Sequence, residues 1–323
     1  MTATNRFDLT VTQARIETPL IRAIRLARLH GEPLPSWQAG AHINVRLPGG
    51  DERSYSLINA SADPAAMTRP ASYLLGVRLE EPSTGGSAYM HSLKVGDSVG
   101  VSEPGNNFPL EPAAKPVVLL AGGIGVTPLV SMAATLTAGS HPYRFYYAGR
   151  SRAHLAFLPA IEALTVDKLT VHTDDVSGIF DVRGLMASLG DGEALYCCGP
   201  RPMLDAAIAT AKELGWPAGR LHFEIFTTTP PRHGDAPFEV VLKSSGESFL
   251  IPADKTILGV LIEAGHDPLH DCKRGDCGIC QVGVIEGVPD HRDYVLSDAE
   301  KSAGKLMQIC VSRSKTPKLV IDL

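Results

Sequence analysis

Over roughly the first hundred residues, apolar and polar side chains alternate with the period of two that marks half-buried strands. Short runs of this kind fall at residues 7–12, 21–26, 42–47, 53–58, 73–79 and 98–102. Pro48-Gly49-Gly50, Pro64, Pro82 and Gly85-Gly86 separate them. Many short strands with frequent turns predict a closed or nearly closed antiparallel β-barrel over residues 1–112. The pattern then changes. Val117-Val118-Leu119-Leu120-Ala121 is apolar throughout, as a parallel strand buried on both faces must be. A helical run at 129–136 follows, with Pro128 suited to a first helical turn. Strands at 143–147, 169–172 and 194–198, with helices at 157–164 and 203–213, predict a doubly wound parallel α/β sheet over residues 113–228. Residues 229–237, polar and proline-rich, read as a linker. Strand patterns resume at 238–242 and 248–251 around a turn at Ser244-Ser245-Gly246. A helix with apolar positions Ile257, Val260, Leu261 and Ala264 and strands at 281–285 and 318–321 complete a small α+β domain over residues 238–323.

Composition narrows the partners. A length of 323 residues suits two or three domains, and 44% hydrophobic residues with 20% charged ones suit globular cores. A net charge of −5 gives no reason to expect nucleic acid or an anionic membrane, and is compatible with docking on a basic patch of another protein. The first residues carry no apolar export core, and the apolar run at 117–126 is short of the roughly 20 residues a membrane helix needs. A monomer in the cytoplasm is expected, where Cys197 and Cys198 are free thiols.

The other four cysteines carry the sharpest signal. Cys272, Cys277 and Cys280 are spaced C-x4-C-x2-C, and Cys310 follows after 29 intervening residues. This is the plant-type ligand spacing of a [2Fe–2S] cluster. Zinc knuckles use paired short spacings, which are absent here. Gly275 and Gly278 suit a loop that wraps tightly and turns amides toward sulfur. Upstream, Arg53-Ser54-Tyr55-Ser56 places a cation, hydroxyls and an aromatic ring on one strand, able to meet a phosphate and a flat ring system. Gly85-Gly86-Ser87 before a short helix at 88–93 reads as an anion site, or as an ordinary turn. Gly122-Gly123-Ile124-Gly125 and Cys198-Gly199-Pro200 lie at two strand ends of the parallel sheet. A nucleotide could approach the backbone there, though a plain tight turn fits each alone.

With these motifs in this order, the chain resembles the phthalate dioxygenase reductase-type family, the single-chain reductases of two-component Rieske oxygenase systems, which include vanillate demethylase reductases. The resemblance runs through Arg53–Leu57, Gly85–Ser87, Asn107-Phe108-Pro109-Leu110, Ala121–Pro128, Tyr196–Pro200, His222–Phe226, the cysteine loop and Asp290-His291-Arg292-Asp293. It implies FMN rather than FAD in the barrel, NADH rather than NADPH on the parallel sheet and [2Fe–2S] at the C-terminus. Arg53, Ser54, Tyr55, Ser56, Gly85, Gly86 and Ser87 would contact FMN, with Gly76, Val77 and Arg78 along its ring and ribityl chain. Thr127 would lie between flavin and nicotinamide, and Phe226 would stack on the flavin. Gly122, Gly123, Gly125 and Cys198 to Pro200 would bracket the nicotinamide nucleotide. One departure is Ser83-Thr84 before the glycine pair, where the family often has an arginine. Another is the charged loop Lys273, Arg274 and Asp276, which is expected to tune partner docking.

The cofactor series has its own logic. NADH gives two electrons as hydride, a cluster accepts one, and a flavin handles both. Hydride passing from nicotinamide C4 to flavin N5, then single electrons to the cluster and a partner protein, is the expected course. Thr127 and Cys198 would position the rings. The acceptor implied is a Rieske-type aromatic-ring dioxygenase or demethylase. The alternatives are a diiron monooxygenase or cytochrome P450 as acceptor, or a non-catalytic redox carrier or sensor. The basic stretch Arg150-Ser151-Arg152 could grip the 2′-phosphate of NADPH or be a solvated loop.

Overall fold

The structure, a computed structural model, describes residues 6–111, 116–227, 232 and 234–323. The expected boundary at 112/113 and, within the linker, residues 229–231 and 233 lie outside the described residues. Contacts along the chain divide it into two compact units, Met1–Glu224 and Ile225–Leu323.

Among the described residues of the first unit, six strands form one antiparallel sheet. They are β1 (Arg6–Thr18), β2 (Ile21–Ala27), β3 (His42–Arg46), β4 (Glu52–Ser56), β5 (Tyr73–Arg78) and β6 (Ser98–Ser102), ordered β4-β3-β6-β1-β2-β5. Alternate residues point inward, as the pattern requires: Leu9 and Val11, Ile24 and Leu26, Ile43 and Val45, Leu75 and Val77, Val99 and Val101 share one core. The two edges meet just past β4, where Ile58 N–H donates to Leu74 C=O at 2.9 Å. That bond turns the sheet into a nearly closed barrel and removes exposed edges.

Also among the described residues, five strands form a parallel sheet: β7 (Val117–Gly122), β8 (Tyr143–Gly149), β9 (Leu169–Thr173), β10 (Ala194–Cys198) and β11 (Leu221–Glu224), ordered β11-β10-β7-β8-β9. Every residue of β7 is buried. The helix Val126–Ala138 after it is longer than the 129–136 run and buried over most of its surface. It packs on more than the sheet. Ser131 Oγ donates to Leu57 C=O and accepts from Asn59 N–H, both at 2.9 Å. A buried serine with both bonds made joins the barrel wall to this helix. The expected helix at 157–164 runs over Leu158–Thr165, preceded by Phe157 in a left-handed conformation at φ 60°.

The second unit holds a mixed sheet of β12 (Phe238–Leu242), β13 (Ser248–Ile251), β14 (Gln281–Glu286), β16 (Leu306–Gln308) and β18 (Lys318–Asp322), ordered β13-β12-β18-β14-β16. A ribbon of β15 (Pro289–Asp290) and β17 (Arg313–Ser314) lies outside it. The helix Ile257–Glu263 covers the sheet and is capped by Thr256, whose Oγ1 accepts from Gly259 N–H at 3.0 Å. Ile257, Leu258 and Leu261 join the core with Cys280 and Cys310. Near the start of this unit, Arg292 grips Asp235 with two bonds of 2.8 and 2.5 Å and also bonds Asp290 at 2.8 Å. Arg292 thereby holds the Asp235 carboxyl down at about 2. Among the described residues no helix is long and apolar enough to cross a membrane.

Candidate functional site

The parallel sheet reverses direction between β7 and β10. From β7 the chain winds outward through β8 and β9, then crosses to β10 on the other side. In such sheets the carboxyl ends of the strands at this switch point form the ligand crevice. Both glycine motifs are there. Gly125 comes so close to the next strand end that an added Cβ would lie 2.2 Å from Cys198 O, and one on Gly122 would lie 2.5 Å from Pro200 Cδ. A Cβ on Gly199 would lie 3.1 Å from Gly122 Cα. Gly125 and Gly199 let backbone meet backbone, and Gly122 makes room for the Pro200 ring and Met203. Gly123 differs: its φ is +53° and nothing lies within 4 Å of an added Cβ. It is the member of the set with open space for a ligand. Cys197 and Cys198 are fully buried, and burial pushes the Cys197 thiol up to about 12.

Thr127 opens the helix beyond this turn. It is buried, and its hydroxyl donates to Ile124 C=O at 3.1 Å. Its methyl faces the barrel: a Cβ on Gly76 would lie 3.0 Å from Thr127 Cγ2 and 2.8 Å from Phe157 Cε2. Gly76, Thr127 and Phe157 therefore form the seam between β5 and the nucleotide sheet. Phe157 was not singled out in the sequence, and its left-handed backbone left no signal there. Val77 points into the barrel core, and Arg78 pairs with Glu80 at 2.8 Å.

On β4 the pleat puts Arg53 and Tyr55 on one face and Ser54 and Ser56 on the other. Ser54 Oγ donates to Asn44 Oδ1 at 2.7 Å, and Ser56 is buried. Gly86 closes over the first pair, since an added Cβ would lie 2.6 Å from Arg53 Cγ and 3.2 Å from the Tyr55 hydroxyl. Burial pushes the Tyr55 phenol up to about 12, so it stays a proton donor. Arg53 bonds Asp51 at 2.7 Å and reaches Thr84 C=O at 3.4 Å. The short helix spans Gly86–Ser92 rather than 88–93. Its turn is less open than expected: Gly85 N–H and Ala88 N–H both donate to Ser83 Oγ, at 3.1 and 3.3 Å. Ser87 Oγ lies 3.0 Å from the same hydroxyl. The serine pattern before the glycine pair was the available signal.

In the second unit the four cysteines come together. Cys272, Cys280 and Cys310 are buried and Cys277 is half-buried. Cys272 is drawn toward the thiolate by hydrogen bonds from Cys277 and Cys310, and those two donors are pushed up in turn. Cys310 hydrogen-bonds Cys280 as well. Arg274 N–H donates to Cys272 Sγ at 3.3 Å. Among the described residues, no three His, Cys, Asp or Glu side chains are arranged as donors to a single ion. Four sulfurs linked in series, Cys277 to Cys272 to Cys310 to Cys280, with an amide aimed at one of them fit the thiolate set of a [2Fe–2S] cluster.

The loop's charges do not face outward as expected. Arg274 is buried, and Asp276 accepts from Ile225 N–H at 3.0 Å. Burial pushes the Asp276 carboxyl up to about 7. Asp276 thus binds the loop to its own unit, and burial withdraws Arg274 from the surface. Phe226 follows Ile225 and is half-buried at the head of the second unit.

A sequence model for the 2Fe-2S iron-sulfur cluster binding domain matches residues 240–315. The chain is 38% identical to the vanillate O-demethylase oxidoreductase of Pseudomonas sp. (strain HR199), over 98% of this chain and 99% of that one. Its fold matches the solved structure of phthalate dioxygenase reductase, described as a modular structure for electron transfer from pyridine nucleotides to [2Fe-2S]. That match has a TM-score of 0.75 and 35% identity, and covers 99% of this chain and 98% of that one. It also matches an intact type IV self-sufficient cytochrome P450 monooxygenase, with a TM-score of 0.76 and 37% identity. There it covers 98% of this chain and 41% of the P450 chain.

Proposed function

The chain belongs to the phthalate dioxygenase reductase family, and we propose that it draws electrons from NADH through FMN and a [2Fe–2S] cluster to a terminal Rieske-type oxygenase acting on aromatic compounds. The carrying observation is the presence of three fitted sites on one chain: a barrel face, a parallel-sheet switch point and four converging thiols. When bound, the flavin takes electrons as a hydride pair and yields them singly, and the cluster takes one at a time.

The residues have separate tasks in this reading. Arg53 pairs with the FMN phosphate and the protonated Tyr55 donates a hydrogen bond to the flavin. Gly85, Gly86 and Ser87 line the phosphate end; Ser54 and Ser56 support β4 from its other face. Gly76, with Val77 and Arg78 beside it, keeps β5 close to the flavin ring. Thr127 offers its methyl at the ring seam, because its hydroxyl is already given to Ile124. Gly123 admits the nicotinamide nucleotide, while Gly122, Gly125 and Cys198 to Pro200 shape the floor beneath it. Phe226 stacks on the flavin ring. Cys272, Cys277, Cys280 and Cys310 hold the cluster. We further assign residues 1–112 to the flavin domain, 113–228 to the nucleotide domain, 229–237 to the linker and 238–323 to the cluster domain, in a cytoplasmic monomer.

NADH is favoured over NADPH by charge. Arg152 is paired with Glu162 at 2.5 Å, and Asp175 N–H is bonded to Arg150 C=O, which brings Asp174 and Asp175 beside the basic stretch. Two carboxylates there disfavour a 2′-phosphate. A second acceptor reading has its own support, since the chain also resembles the reductase-length part of a self-sufficient cytochrome P450. Anaerobic titration with NADH tests the core of the proposal. Flavin bleaching should be followed by the electron-spin signal of a reduced [2Fe–2S] cluster, and a protein that leaves NADH unoxidised sinks it. Reoxidation by purified Rieske oxygenases against P450 haem domains then separates the two acceptors.

A further inference from the structure

We propose that Gln308 donates a hydrogen bond to the ligand sulfur of Cys280 and so sets how readily the cluster takes an electron. The inference rests on the reading that the four cysteines hold a [2Fe–2S] cluster. Gln308 is fully buried and ends β16. It stands directly opposite Gln281, the residue after Cys280, in the β14–β16 ladder. Its backbone is clamped, with its carbonyl accepting from Ser312 N–H at 3.0 Å. At the side chain, the Cys280 thiol donates to Gln308 Oε1 at 3.5 Å, and Gln308 Nε2 donates to Gln281 Oε1 at 3.1 Å.

This arrangement holds only while Cys280 carries a proton. A ligand cysteine is a thiolate and accepts hydrogen bonds without donating any. An amide oxygen left facing it would set acceptor against acceptor in a buried place, which is costly. A half-turn of the terminal amide exchanges Nε2 and Oε1 within the same volume. The nitrogen then occupies the place 3.5 Å from Cys280 Sγ that the oxygen now holds. Gln281 is exposed, so its own amide is free to turn and donate to the relocated Gln308 oxygen. Both polar pairs survive and no backbone moves. A donor on a ligand sulfur favours the more negative, reduced cluster and raises its potential.

The test uses the full chain with flavin and cluster loaded. Pulsed electron-spin spectra of the reduced cluster, with glutamine labelled by ¹⁵N at the side-chain amide, should show a ¹⁵N coupling that disappears in Gln308→Leu. The same variant should take up electrons about tenfold less favourably relative to the flavin, which is about 59 mV for a one-electron couple. Gln308→Glu, which cannot donate when ionised, should fall further, and the flavin potential should not change in either. An unchanged cluster potential in Gln308→Leu overturns the inference. So does native protein without the side-chain ¹⁵N coupling, a result that stands even if the variants lose the cluster. Absence of any [2Fe–2S] signal from native protein removes the cluster reading and the inference with it; a signal without the coupling removes the inference alone.

Discussion

Two glycine-bearing turns invite the same reading and have different physical causes. In the turn after β7, Gly125 is required because a Cβ would lie 2.2 Å from a carbonyl oxygen of the neighbouring strand end. In the cysteine loop, Gly275 is required chiefly by its backbone, at φ +80°, with Val311 Cγ2 2.6 Å from an added Cβ. The first turn is crowded by rigid main chain, and the second is bent and crowded by one side chain. A glycine beside a ligand site is therefore evidence of a site only after its packing and its dihedral have been accounted for. By that standard the glycine at 123 is explained by its own dihedral, φ +53°, and what bears on a ligand there is the open space before it, which neither backbone nor side chain fills.

The comparison can be broken in graded steps. Gly125→Ala should be the most damaging change, costing about 3 kcal/mol or more because a carbonyl cannot step aside, and should show as loss of cooperative folding of the first unit. Gly275→Ala should cost about 2 kcal/mol from the left-handed backbone, with further loss from the clash. Because that clash is with a side chain, adding Val311→Ala should recover part of the melting temperature; no recovery would show that backbone strain accounts for the whole effect. Cys277→Ser gives the reference phenotype for this loop. Cluster absorbance should vanish while NADH-to-ferricyanide turnover persists, and loss of both would contradict the separation of the flavin and cluster functions. Gly123→Ala should cost only about 1 kcal/mol in stability but weaken NADH binding, read as a higher KM. The smallest effect is electrostatic. Asp235 sits near 2 in the fold against 3.8 unfolded, so its contribution is complete above pH 4 and is lost as pH falls through 2. Urea titrations between pH 5 and 2 should show a shallower acid loss in Asp235→Asn.

What was legible in the sequence followed how local each signal is. The four cysteines could be assigned from spacing because cluster ligation depends on a loop of fixed reach. The barrel strands showed in their alternation, since a period of two survives wherever one face is buried. β11 passed unnoticed because Leu221–Glu224 is too short and mixed in polarity to carry a period. The helix Val126–Ala138 runs past both ends of the 129–136 run because its first turn reads as part of the glycine loop, and the bonds that Ser131 makes to the barrel at Leu57 and Asn59 left no sign in the sequence. Tertiary pairing likewise hid the inward turn of Arg274 and Asp276 and the use of the Gly85 amide by Ser83. In each case the missing partner lay elsewhere in space or was a hydroxyl whose direction the sequence does not state.

The grip of Arg292 on Asp235 also decides where the chain tolerates a change of length. Asp235 is fastened to the body of the cluster unit, so inserting residues after it would pull a paired carboxylate out of place. Inserting them between Phe226 and Arg232 leaves that pair intact. A change of length before Asp235 thus spares the cluster unit's own ion pair, whereas one after it unseats the fold that carries the four cysteines.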